Sequence, residues 1–441
     1  MTDFQQAQQT DFQQKALTLA GQQESPAWLA ALRFEGSEQW LNADWPSRRT
    51  ELWKYTPLQA LQKNTSATWS RVLPQGVGSA SLLTVDALRL VFVNGVYDPE
   101  GSNVGIASAD HTSVVRFSSA NAEQRSLIEK HLGRIVNTQR HLFASLSNAW
   151  VQDGVLVHVP RNAVLEKPVY VVYVSTPESE PVIANHRLLV VLEDGAQAEL
   201  IEHFVSDTQP QNSFVNALTE ISIAANASLQ HYRINLEQEQ QIHIGGVHID
   251  LQRDARYSGF TIAEGSTLKR IDYQINHRGN GAHASLNGVY LPRNNQIVDY
   301  HTNVEHWAPH CTTSEVFRGI IGDSARAVFN GRILIHPDAQ KTLAELSNRN
   351  LLTSDKAEVD TKPELEIYAD DVKCAHGATV SQLDQTAMYY LQSRGVSKAL
   401  ARTMLSFGFI NELLQELPQV AVRNYLQHHL TELFHTGTAL E

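Results

Sequence analysis

Cys374 and His376 stand two residues apart in "LEIYADDVKCAHGATVSQLD", residues 365–384. On an extended strand, residues two apart face the same side, which puts this thiol and imidazole on one face and Lys373 and Ala375 on the other. Sulfur and imidazole nitrogen are soft or borderline ligands, suited to iron, zinc or a sulfur species. Two donors do not close a tetrahedral site. A metal there needs further groups from elsewhere in the fold or from a second protein. On spacing alone the plainer reading is stronger: Cys374 as a small buried hydrophobe, and His376 as a hydrogen-bonded imidazole at a strand end. A second group, "HTNVEHWAPHC", gathers His301, Glu305, His306, His310 and Cys311. Its spacings match no standard zinc pattern, and imidazoles with a small thiol in a turn-rich part of a sheet account for it.

Other chemistries lack their residues. The sequence has no G-x-x-x-x-G-K-[ST] phosphate loop, no G-x-G-x-x-G dinucleotide fingerprint, no H-E-x-x-H zinc helix and no G-x-S-x-G nucleophile elbow. No nucleotide is expected to bind this chain directly.

The elements that position Cys374 follow from hydrophobic period. From Gly154 to about Val372 the period is two, in short β-branched runs such as "PVYVVYV", "SLQHYRINLE" and "RAVFNGRILIH", with almost no helical pattern between them. A short motif recurs there, with Asp, Asn or Gly just before Ala at a strand start. The alanines are Ala196, Ala227, Ala255 and Ala282, in steps of 31, 28 and 27 residues, and Ala325 follows after a longer insert. Steps of that size suit stacked supersecondary units, hence a β-helix whose coils bury the faces their neighbours leave open. A β-sandwich with chance alanine spacing is the competing reading.

Both flanks read as helical. Residues 1–150 form a helix-rich N-terminal domain, with Ser25 and Pro26 opening one helix. Trp28, Trp40, Trp45 and Trp53 pack a small core there rather than a ligand cage. Asn94-Gly95 turns a hairpin in "LRLVFVNGVYD". Residues 151–378 form the β core, and residues 379–441 a C-terminal helical domain. In this last domain Gly395 ends one helix and Ser397 caps the next. The apolar stripe of that second helix includes Leu405, Phe409, Leu413 and Leu414. So short a tail buries little alone, so these four residues are expected to dock a partner.

Composition narrows the class further. The chain has 441 residues, 42% hydrophobic, and a formal net charge of −12. That balance argues against a nucleic-acid surface, which needs a basic footprint. Cys311 and Cys374 are the only cysteines and make no disulfide framework. The first residues, "MTDFQQAQQTDFQQ", carry no basic-then-apolar leader, and no run is long enough to span a bilayer. A cytoplasmic protein, not bound to membrane, is expected.

Three blocks carry a family resemblance: "SRRTELWKYTPL", "SDKAEVDTKPELEIYADDVKCAHGATVSQLD" and "YYLQSRGVSKALARTMLSFGFINELLQEL". Together they resemble the SufD family of the SUF iron–sulfur cluster assembly system, and "ARAVFNGRILIHPDAQKT" is similar to the core shared with its paralogue SufB. The resemblance implies a right-handed parallel β-helix flanked by N-terminal and C-terminal helical domains. It implies pairing with a SufB-like paralogue through the β-helices, and a SufC-like ATPase held by the C-terminal domain. It implies a non-catalytic scaffold subunit, served indirectly by a sulfur donor system, with a nascent iron–sulfur cluster or iron shared at the interface. His376 matches the family's important histidine and Cys374 its neighbour. The alternatives are a purely structural subunit of the same complex and a β-helix carbohydrate-active enzyme.

Overall fold

The computed structural model describes residues 3–22, 24–63, 81–104, 112–178, 181–207 and 212–435. Between Val155 and Gln382 the chain winds into a parallel β-solenoid of about seven turns. Successive strands alternate between two sheets, one of 10 strands and one of 9. Parallel sheets covered on both faces need long runs of β-branched and apolar residues, and these strands supply them. Along both sheets the turns stay in register, so inward-facing residues stack into columns through the lumen. One column runs Leu192, Ile223, Leu251, His277, His306, Ile335 and Ile367.

The recurring alanines mark one corner of the solenoid. There a residue in the left-handed region turns the chain, and a small residue beneath it closes the lumen. Gly195 and Gly281 hold φ of 72° and 73°, with Asn226 and Asp254 at 59° and 56°. Gly, Asn and Asp visit this region at least cost. Ala196, Ala227, Ala255 and Ala282 follow them and are fully buried. The next members of this ladder are Cys311, after His310 at φ 62°, and Thr342, after Lys341 at φ 61°. Ala325 is not a member: it follows Asp323 at the opposite corner, between Thr312–Ile321 and Arg326–Ile335.

The helices clad the two sheets separately. Asp3–Gly21, Ala30–Asn42 and Leu142–Trp150 bring Phe12, Trp40, Trp45, Trp53 and Phe143 against the outer face of the 9-stranded sheet at Ile183, Phe214 and Ile244. The indoles of Trp40, Trp45 and Trp53 are thus core. Ser25 does not cap: the helix begins through a 3₁₀ turn, and the Ser25 hydroxyl instead accepts from Arg33. The hairpin at Asn94-Gly95 is present, and its first strand, Leu88–Val93, pairs parallel with Val169–Ser175. The N-terminal segment therefore contributes strands to the solenoid as well as helices.

At the other end, Gln385–Ser393 is capped by Asp384, Lys398–Gln415 by Ser397, and Val420–His435 follows. Ile410, Leu413, Leu414, Leu426 and Leu430 pack on the outer face of the 10-stranded sheet at Tyr232, Ile262 and Val289. Arg318 fastens this layer, donating to the Phe409 carbonyl at 2.6 Å and to Glu412 at 2.5 Å.

Candidate functional site at the open end of the solenoid

The last strand of the 10-stranded sheet is Lys373–Gln382, paired only on one side, with Leu343–Leu352. The last strand of the other sheet, Glu358–Ile367, is likewise paired only with Arg326–Ile335. The solenoid thus ends in two adjacent edges. Almost every residue of Lys373–Gln382 is exposed. An exposed parallel edge presents a row of free N–H and C=O groups, which native proteins normally cover or blunt. Pro363 blunts the neighbouring edge, since it has no N–H to offer.

Cys374 and His376 lie on this edge strand and face the same way. Cys374 pairs in register with Ala344 and His376 with Leu346, both buried in the lumen. Cys374 packs against the lumen core, half-buried, and burial pushes its thiol above the ordinary value while the Ala344 backbone eases it slightly. His376 is exposed, and among the described residues no hydrogen bond or ion pair engages its ring. Around this edge Ile367, Tyr368 and Val380 are exposed, Tyr368 by 63%. Ile367 and Tyr368 lie at the corner end of this edge, and Val380 lies seven residues beyond Lys373 along the last strand. Nothing in the sequence pattern separated these three from lumen residues.

The second histidine group divides. His306 and Cys311 come together in the lumen with His277, which the sequence reading did not include. His301 lies on the outer face, bonded to Asp299 at 2.9 Å. His310 is exposed at its corner, and Glu305 lies near Arg332 and His336, each at 3.6 Å.

Of the four residues expected to dock a partner, Leu413 and Leu414 are buried against the chain's own sheet. Leu405 and Phe409 are half-buried. The large apolar groups that the C-terminal helices leave exposed are Tyr389, Tyr390, Leu400, Met404 and Val420.

Comparisons with known proteins identify relatives along most of the chain. The family model described as SUF system FeS cluster assembly, SufBD core domain, matches residues 173–409, and the SufBD protein N-terminal region matches residues 5–171. The chain is 33% identical over 382 residues to the iron-sulfur cluster assembly protein SufD of Escherichia coli (strain K12), covering 86% of this chain and 87% of that one. It is 30% identical over 391 residues to an iron-sulfur cluster assembly SufBD family protein of Synechocystis sp., covering 87% and 86%. It is 27% identical over 426 residues to SufD of Bacillus subtilis (strain 168), covering 91% and 93%. With both family models spanning most of its length, the chain belongs to the SufD family of the SUF iron–sulfur cluster assembly system.

Proposed function

We propose that this chain is the non-catalytic SufD-like subunit of a cluster-assembly scaffold. Its open solenoid end pairs with a SufB-like paralogue, and a nascent iron–sulfur cluster, the cargo, is built where they meet. The observation that supports this reading is the exposed imidazole of His376 beside half-buried Cys374 on an unpaired edge. A paralogous strand laid along Lys373–Gln382 satisfies the free backbone groups and brings its own side chains to the pair. His376 then supplies an imidazole ligand to iron or cluster, and Cys374 a second sulfur donor. A SufC-like ATPase is held by the C-terminal helices through Tyr389, Tyr390, Leu400 and Met404, with half-buried Leu405 and Phe409 at the margin. Leu413 and Leu414 support that surface from beneath. ATP hydrolysis belongs to that partner. Among the described residues no helix is long and apolar enough to cross a membrane. Work in the cytoplasm suits this reading.

The test is co-expression with a SufB-like chain and a SufC-like ATPase. Wild type is expected to co-elute with both. His376→Ala is expected to leave the complex and its ATPase activity intact while cluster or iron content falls by an order of magnitude or more. Unchanged cluster formation in an intact complex reduces His376 to an edge histidine and favours the purely structural subunit. Failure to co-elute removes the scaffold reading altogether.

A further inference from the structure

Away from the open end, four polar side chains gather at one place in the lumen. In the column from Leu192 to Ile367, only His277 and His306 are not aliphatic. In the corner ladder of buried alanines, Cys311 stands where Ala282 stands one turn earlier. Across the lumen, Thr313 lies between Ala284 and Ala344. All four are buried, His277, His306 and Cys311 completely. The donor atoms of those three lie within 4.8 Å of one another.

The hydrogen bonding leaves this group half satisfied. Thr313 Oγ1 meets Nε2 of His277 at 2.9 Å and Nε2 of His306 at 3.0 Å. Neither Nδ1 has a well-formed partner, although the Ala282 backbone lies beside the His277 ring. Burying a polar nitrogen without a partner costs about 1–3 kcal/mol. The same positions one turn away carry Leu and Ile at no such cost, so the fold does not require histidine here.

We propose that His277, His306 and Cys311 form a site for one soft or borderline d-block cation inside the solenoid. The ligands are the two Nδ1 atoms and the Cys311 thiolate, the donor set that suits zinc, copper(I) or iron(II). Thr313 takes the supporting role: its oxygen has two lone pairs and accepts N–H from both rings, which frees both Nδ1 lone pairs for the ion. Binding replaces the thiol proton with a metal–sulfur bond and releases that proton to solvent. The Gly279 and Pro309 carbonyls, 3.3 and 3.5 Å from the sulfur, lie beside it. The two rings are stacked, with centroids 4.3 Å apart and planes 7° apart. Parallel rings cannot both aim at one ion, so loading rotates at least one ring out of the stack. The site is distinct from the open end: Cys374 lies two strands beyond Thr313 in the same column, about 10 Å away.

The test uses the full chain, stripped of metal and then offered zinc, copper(I) or iron(II) separately without oxygen, with unbound ion removed by gel filtration. One ion per chain is expected to remain for at least one of the three, and to raise the melting temperature. Cys311→Ala and the double variant His277→Leu/His306→Leu restore the residues of neighbouring turns, so both are expected to fold and to retain no ion. Cobalt(II) is expected to give a thiolate charge-transfer absorption in wild type that Cys311→Ala abolishes. Retention by either variant at the wild-type level overturns the proposal, as does a folded wild type that retains none of the three ions. Cys374 and His376 are unchanged throughout, so neither result bears on the open-end reading.

Discussion

Cys374 and His376 point to the same side of the last strand, yet only Cys374 reaches the lumen core. Accessibility therefore divides between neighbours: the imidazole is open to a partner, and the thiol is partly screened. Cys311, fully buried, is screened altogether. Native alkylation followed by mass spectrometry is expected to label Cys374 slowly and Cys311 only after unfolding. The rate at Cys374 should fall below that of a free thiol, because burial lowers its thiolate fraction near neutral pH. Faster labelling of Cys311 would show that the solenoid opens at that corner.

Glu315 faces the lumen, almost fully buried, and burial raises its carboxyl to about 7, eased only by the Thr302 hydroxyl. The native chain then holds this proton more tightly than the unfolded one. Stability from this group is complete below about pH 4.5 and is lost as pH rises toward 7. The full effect is about 3 kcal/mol. Glu315→Gln keeps the shape and removes the ionisation, so it should flatten the melting temperature between pH 5 and 8 and raise it at pH 8. An unchanged pH profile would mean that water reaches Glu315.

Glu202 shows the opposite sign. Burial alone would raise it, but Arg233, 3.0 Å from both carboxylate oxygens, outweighs burial and holds it down at about 2. His231 and Thr219 complete its bonding at 3.0 and 2.8 Å. This contribution is present above about pH 4.5 and is lost as pH falls through 2. Arg233→Met leaves Glu202 buried without its main counter-charge, and denaturant unfolding at pH 7 is expected to show a loss of about 3–5 kcal/mol. A smaller loss in Glu202→Gln/Arg233→Met than in the single variant would assign the cost to the unpaired charge.

Much of this architecture is legible in the sequence, because a solenoid repeats its physics every turn. Period two with β-branched residues gave the strands, and Asp, Asn or Gly before Ala gave one corner. The pattern faded at Cys311 and Thr342 because His310 and Lys341 take the left-handed conformation there without advertising it. His277 could not be grouped with His306 from sequence, since register alone makes them neighbours. The stripe through Leu413 and Leu414 was legible as a buried face, but periodicity does not say which surface covers it. The chain's own sheet does.

That placement separates two kinds of variant in the C-terminal helices. Leu414→Ala opens a cavity against the sheet and is expected to cost about 2–5 kcal/mol. Met404→Asp, 47% exposed in wild type, is expected to leave the melting temperature nearly unchanged and to weaken ATPase co-purification at least tenfold. Binding that survives Met404→Asp and Tyr389→Asp together would move the docking surface elsewhere.

The block "SRRTELWKYTPL" acts as a strap across successive turns. Arg270 lies over the Trp53 ring at 3.9 Å and donates to the Leu52 carbonyl at 2.6 Å and to Thr56 at 3.0 Å. Thr56 bonds Asp299 on the next strand, Tyr55 lies under Arg326 on the one after, and Glu51 pairs with Lys362 at 2.5 Å on the last. Four strands of one sheet are thus tied by five residues, and the strap ends on the edge strand beside the open end. Its inner contacts are buried, whereas the Glu51–Lys362 pair is exposed and contributes little by itself. Trp53→Ala is expected to destabilise by about 3–5 kcal/mol. Hydrogen exchange should rise over Leu268–His277 and Ile297–His306, and stay unchanged over Val169–Ser175, which the strap does not touch. Glu51→Gln should leave stability within about 0.5 kcal/mol of wild type. Uniform acceleration across both sheets in Trp53→Ala would show that the indole supports the whole fold rather than a local clamp.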